Sequence, residues 1–182
     1  MGCRHPFSQS FFNAFIFFRE MTENCISLSE NRMDVNLFKK ILIPTDGSDK
    51  AKVGVAKGLE LARMMNAEVT AISIVDIDQL AYSAAGPNSV DLLRFLELDA
   101  NAAVDYVRKK AEEMGIAVKT LVKRGHAANE IIEVSKDYDL IVMNHLGHSG
   151  LSQMLIGGVA EKVVRFAYCP VLVIRMHPGD KN

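Results

Sequence analysis

Two polar, glycine-bearing groups stand directly after apolar runs. Pro44-Thr45-Asp46-Gly47-Ser48 follows Ile41-Leu42-Ile43, and Asn144-His145-Leu146-Gly147, with Gly157-Gly158 further on, follows Leu140-Ile141-Val142-Met143. Polar and glycine residues at the ends of buried strands are where open α/β sheets hold ligands. A phosphate needs backbone N–H groups with no side chain in the way, and glycines before a helix supply them. The chemistry that fits is recognition of a nucleotide-type ligand. Asp46 has two readings of equal standing. It can contact a ribose hydroxyl or an adenine, or it can be a turn and capping aspartate, because Asp-Gly-Ser is strong turn chemistry by itself. His145 and His148 flank Gly147 and could touch phosphates or move a proton, and His126 follows Gly125 in a similar setting. Solvated loop histidines are the commoner case. No Ser-His-Asp, Cys-His or glutamate-pair arrangement can be argued from the spacing, so no catalytic constellation is assigned.

The elements that position these groups alternate along the chain. Lys40–Pro44 reads as a buried strand, and Ser48 or Asp49 can cap a helix over Lys50–Asn66 with Val55, Leu59, Ala62 and Met65 on one face. Glu68–Val75 is a second strand, Asp76–Ser89 a loop broken by Gly86-Pro87, and Val90–Met114 a long helix stopped by Gly115. Ile116–Val122, Asp139–Met143 and Val171–Arg175 complete five strands, with helices at Ala127–Lys136 and Gly158–Phe166. Glu161 and Arg165 form a solvent-side pair on the last helix. The methionines at 64, 65, 114 and 154 read as core filling, whereas Met143 ends a strand at the expected pocket. Five strands with intervening helices imply a parallel sheet covered on both faces. With the first and fourth strands adjacent, Pro44–Ser48 and Asn144–Gly158 meet at one crevice.

Bulk properties exclude more than they assign. The 182 residues suffice for one domain with a sizeable core, and a formal net charge of −1 gives no reason to expect nucleic acid or anionic lipid as a partner. Cys3, Cys25 and Cys169 fit no metal site, redox pair or disulfide framework, so a reducing cytoplasm is the simplest compartment, and Cys169 reads as a buried structural residue. Six of the nine phenylalanines fall in residues 1–32, unlike the rest of the chain. The stretch Phe11–Phe18 is too short to span a bilayer and lacks the flanks of a signal peptide. Residues 1–32 are expected to be an extension outside the fold, with the domain running over residues 33–182 from Met33.

Several of these motifs, in order, resemble the universal stress protein family. The resemblance is carried by Lys40–Ser48, by Ile74-Val75-Asp76, by Asp139–Met143, by Gly147–Ser152 through Gly157–Val164, and by Cys169–Ile174. It spans about residues 38–176. It implies a flavodoxin-like, Rossmann-like sheet in the order 3-2-1-4-5 with helices on both faces, and a homodimer paired through the edge strand Val171–Arg175. ATP-binding members carry Gly-x2-Gly-x9-Gly-Ser/Thr, which falls here on Asn144, Gly147, Gly157 and Gly158. The spacing is intact, but asparagine replaces the first glycine and glycine the closing hydroxyl residue. Asparagine tolerates the left-handed backbone region, and its side chain must be fitted beside the ribose. The resemblance assigns adenine contacts to Pro44, Thr45, Asp46 and Ile74, and ribose and phosphate contacts to Met143, Asn144, Gly147, Gly157, Gly158 and Val159. It implies a cytoplasmic, dimeric stress-response module binding ATP or a related adenine nucleotide, with or without Mg²⁺, and at most slow hydrolysis. The rival readings are a non-nucleotide interaction module of the same fold and a slow phosphohydrolase using His145 or His148.

Overall fold

A computed structural model describes residues 37–76, 89–145 and 157–175. Strand β1, Lys40–Pro44, carries Ile41, Leu42 and Ile43, all fully buried, so both of its faces are covered as in an inner parallel strand. Helix α1, Asp49–Met65, starts at Ser48, whose side chain accepts from the Ala51 N–H, and stops at Asn66 in the left-handed region. Strand β2 is Glu68–Asp76 and helix α2 is Ser89–Glu113. Strand β3, Val118–Gly125, leads to helix α3, Ala127–Val134, which tightens into a 3₁₀ turn over Ser135–Asp137. Strand β4, Leu140–Asn144, is buried at every position. Helix α4, Gly158–Phe166, and strand β5, Val171–Ile174, follow.

The strands form one parallel sheet in the order β3-β2-β1-β4-β5. The order reverses between β1 and β4, which pair Ile41 with Leu140 and Leu42 with Ile141. At the opposite end of this pair, one carboxylate oxygen of Asp139 accepts the N–H groups of both Lys39 and Lys40 at 2.9 Å and holds the start of β1 beside β4. The alternation of side chains in β1 divides the core. Ile41 and Ile43 join Val55, Leu59, Val104, Val107 and Val142 beneath α1 and α2. Leu42 joins Ile72, Ile131, Ile141, Met143 and Val163 beneath α3 and α4. Each fully buried Val, Leu or Ile contributes about 1.5–3 kcal/mol of transfer free energy, so both layers matter to stability.

Helix α1 lies unusually close to the sheet because of two glycines one turn apart. A Cβ on Gly54 would come within 3.0 Å of the Asn144 backbone nitrogen, and one on Gly58 within 2.7 Å of Ile43 Cδ1. Among the described residues no helix is long and apolar enough to cross a membrane.

The architecture expected from the sequence is present, with local differences. Strand β3 begins at Val118 rather than Ile116 and runs on to Gly125, because β2 continues to Asp76 and pairs with it to the end. The helix expected over Ala127–Lys136 gives way to the 3₁₀ turn after Val134, where the Ser135 hydroxyl donates to Ile132 O at 2.6 Å. Arg175 lies beyond β5. Met64 is 82% exposed, on the outer face of α1, and is not core. Cys169 is part-buried against the α3–α4 layer rather than enclosed. Burial raises its thiol pKa to about 11, the nearby Asp139 carboxylate adds to this, and a backbone hydrogen bond at Ile141 opposes it. The Glu161–Arg165 pair forms as expected, exposed and 3.1 Å apart.

Candidate functional site

A cleft of about 220 Å³ opens at the carboxyl ends of β1 and β4, where the strand order reverses. Its wall begins with the turn after β1. Thr45 is buried, donates its N–H to Ile72 O at 2.9 Å, and accepts the Gly47 N–H on its hydroxyl at 3.2 Å. Gly47 has φ +75°, and a Cβ there would come within 3.2 Å of Ala103 Cβ on α2. The positive φ favours glycine at this corner, and an added Cβ would be tight against α2. Oδ1 of Asp46 accepts from the Ser48 N–H at 3.1 Å and from the Ser48 hydroxyl at 2.6 Å. The same serine caps α1. Asp46 therefore holds the turn and also lines the cleft, so the two readings of this residue are compatible.

The opposite wall is the end of β4. Asn144 is buried, and its side-chain amide donates to Lys50 O in the first turn of α1 at 2.6 Å. Its backbone is extended rather than left-handed, since Asn66 is the one non-glycine residue with positive φ among the described residues. The conformational argument for asparagine over other side chains therefore does not apply at 144; the amide acts as a tie between β4 and α1. His145 is also buried. Its N–H donates to Ile174 O at 3.1 Å, and its ring Nδ1 lies 3.3 Å from both Ile174 O and Asn144 Oδ1. Both neighbours are acceptors, so Nδ1 carries the proton in the neutral ring.

The rim toward α4 is glycine-built. Gly157 is the N-cap of α4 and supplies no side-chain cap. Its own N–H is committed to His145 O at 2.8 Å. The N–H groups that follow, from Gly158 to Ala160, belong to the first helical turn, which has no intrahelical acceptors. Gly158, Val159 and Ala160 line the cleft at the positive end of the helix dipole. A Cβ on Gly158 would meet nothing within 4 Å.

Of the residues expected at the site, Pro44, Thr45, Asp46, Ile74, Met143, Asn144, Gly157, Gly158 and Val159 all line this one cleft. Gly147 and His148 lie outside the described residues, as does Met154. His126 is the N-cap of α3 and makes no side-chain cap bond. The cleft also takes in Ala51, Ile72, Asp76, Ala127, Ile131 and Ala160, which the sequence reading did not single out for the site. Asp76 and Ala127 carried a weak signal, each at the junction of a strand with the next segment. Ile72 and Ile131 carried none, being apolar residues in apolar patterns.

The sequence pattern of the universal stress protein family matches residues 37–175. Universal stress protein MJ0531 of Methanocaldococcus jannaschii is 40% identical over 142 residues, covering 77% of this chain and 84% of its own length. The solved structure of MJ0577 from the same organism superposes with a TM-score of 0.68 at 26% identity, over 79% of this chain and 99% of that one. A family protein from Arabidopsis thaliana with AMP bound shares the fold at a TM-score of 0.58 and 19% identity, over 79% and 95% of the two chains. Other structures with this fold hold cAMP and dAMP.

Proposed function

The chain belongs to the universal stress protein family, and from that premise we propose that its β1/β4 cleft binds ATP or a related adenine nucleotide. The protein acts as a cytoplasmic, nucleotide-responsive stress module rather than a committed enzyme. The observation that carries this reading is the convergence, in one cleft, of the Thr45–Asp46 turn, the end of β4 and the uncapped start of α4. Apolar Ile72, Ile74, Ile131 and Met143 offer a surface for a flat base, and the first-turn N–H groups of α4 offer donors for a phosphate. AMP, cAMP and dAMP bound to proteins of this fold favour the same ligand class here. Residues 33–182 form the nucleotide-binding domain and residues 1–32 lie outside it.

The protein is a homodimer joined through β5. Among the described residues this strand pairs on one side only, with β4, and all four of its residues are part-exposed, in contrast to fully buried β4. Val164, Phe166 and Tyr168 add exposed apolar surface nearby in the chain. An apolar edge of this kind is a liability that pairing removes.

Isothermal titration of the full-length protein with AMP and with ATP plus Mg²⁺ tests the nucleotide reading. One saturable site per chain is expected. Absence of heat and of any thermal shift at millimolar nucleotide favours instead an interaction module, a reading supported by the commitment of the Gly157 N–H to His145 O. Light scattering tests the dimer.

A further inference from the structure

His145 is 9% exposed, lines the cleft, and has one polar atom left over. Its backbone N–H donates to Ile174 O, and its carbonyl accepts the Gly157 N–H at 2.8 Å. Lys50 O can only accept, so the amide nitrogen of Asn144 faces it and Oδ1 turns toward the imidazole. Ring Nδ1 thus lies between two acceptors, Asn144 Oδ1 and Ile174 O, and keeps the proton of the neutral ring. The lone pair is left on Nε2, at the other edge of the ring. Among the described residues no group pairs with it. No fully enclosed side-chain nitrogen or oxygen among those residues lacks a partner, so Nε2 is reachable, and the cleft is what the ring lines.

An acceptor held in this way calls for a donor on the ligand, because a nearly buried acceptor left unpaired is costly. Its position selects the donor, given the nucleotide reading above, on which this inference rests. The His145 carbonyl is bonded to Gly157, the N-cap of α4, where the phosphate is placed. Met143, two residues back along β4, belongs with Ile72, Ile74 and Ile131 to the apolar surface for the base. Between base and phosphate stands the sugar, whose donors are its hydroxyls, whereas a phosphate dianion offers acceptors only and would face a lone pair. We propose that His145 is a specificity-determining residue that reads a ribose hydroxyl, its Nε2 accepting the O–H, so that the cleft prefers ribonucleotides to their deoxy counterparts. Asn144 serves the same device: its bond to Lys50 O fixes the amide, and the amide fixes the tautomer of the ring.

Calorimetric titration of the full-length protein with AMP, 2′-deoxy-AMP and 3′-deoxy-AMP tests this. One of the two deoxy compounds is expected to bind about two- to tenfold more weakly than AMP, the effect of losing one neutral hydrogen bond. His145→Asn keeps an amide N–H near the place of Nδ1–H and removes Nε2, so it is expected to bind AMP and that deoxy compound equally. His145→Gln, whose amide reaches the place of Nε2, is expected to retain part of the discrimination. A merely structural role would weaken all three ligands alike and leave their ratios unchanged. Nitrogen NMR of the wild-type ring needs no variant: AMP should move the Nε2 resonance toward that of a hydrogen-bonded acceptor, and the weaker deoxy compound should not. Equal affinity of the wild type for all three compounds, discrimination that survives in His145→Asn, or an unmoved Nε2 resonance at AMP saturation would overturn the assignment and leave the nucleotide reading intact. Failure of AMP itself to bind would remove both.

Discussion

Gly158→Ser restores a hydroxyl at the start of α4 and isolates the phosphate end of the cleft. The position is sterically open, since an added Cβ finds no heavy atom within 4 Å, so the substitution carries no packing cost. The N-cap residue Gly157 supplies no side-chain bond, so the new hydroxyl competes with no existing cap. A hydrogen bond to a charged group contributes about 1.5–3 kcal/mol net, and part of this is lost in fixing the serine rotamer. A gain of roughly 1–2 kcal/mol is left, which corresponds to about a five- to thirtyfold tighter dissociation constant. Gly158→Ala is the control, because it changes the backbone and helix propensity in the same sense without a hydroxyl. Replacing glycine in a helix interior by alanine stabilises by up to about 1 kcal/mol, and less at a first position, so the control moves thermal stability rather than affinity. Titration with AMP, and with ATP in excess Mg²⁺, compares the three proteins. The serine variant should bind more tightly than both others. Affinity equal to or weaker than that of the alanine variant would refute the placement of phosphate at the start of α4.

Four further outcomes follow from the same structure. Gly54→Ala sets a helix-propensity gain of about 1 kcal/mol against overpacking of about 1–3 kcal/mol. The added methyl meets the Asn144 backbone nitrogen at 3.0 Å, inside a strand that cannot yield, so urea denaturation should show a net loss of about 1 kcal/mol. A stabilised variant would contradict the close approach of α1 to β4. Ser48→Ala removes both the cap on Ala51 and the partner of Asp46, and should lower stability by about 1–2 kcal/mol in the same assay; a loss within error of zero would contradict the cap. For Cys169, a thiol pKa of about 11 against an ordinary 9.0 leaves very little thiolate at pH 8. Iodoacetamide should modify it about a hundredfold more slowly in the folded protein than in urea, as read by peptide mass spectrometry. The folded thiol keeps its proton where the unfolded one has lost it, so stability should also fall as pH rises from about 9 to about 11.

Periodicity and punctuation made the fold legible. Ile41-Leu42-Ile43 is short and apolar, carries two β-branched residues and is bounded by a turn, which together fit an inner strand. Gly115, Pro170 and the Asp46-Gly47-Ser48 turn mark element ends that the structure keeps. The site was legible where it lies at strand termini, as with Thr45, Asp46, Asn144 and Gly157. What escaped depends on contacts between distant parts of the chain. The Asn144 amide reaches Lys50 O across 94 residues of sequence, and no local pattern reports that. The reason for Gly54 and Gly58 lies in β4 and Ile43, which approach them from distant parts of the chain. Ile72 and Ile131 look like ordinary core residues because they also serve as core. Met64 was misplaced for the converse reason: it is an apolar residue whose angular position on α1 faces water.

Backbone amide NMR of the full-length protein during titration with AMP tests the central claim most directly. Saturable shifts are predicted at Thr45, Asp46, Asn144, Gly158, Val159 and Ala160, the residues that bring the β1 turn, the end of β4 and the start of α4 to one cleft. Shifts confined to other faces of the protein, or no shifts at millimolar AMP, would contradict it.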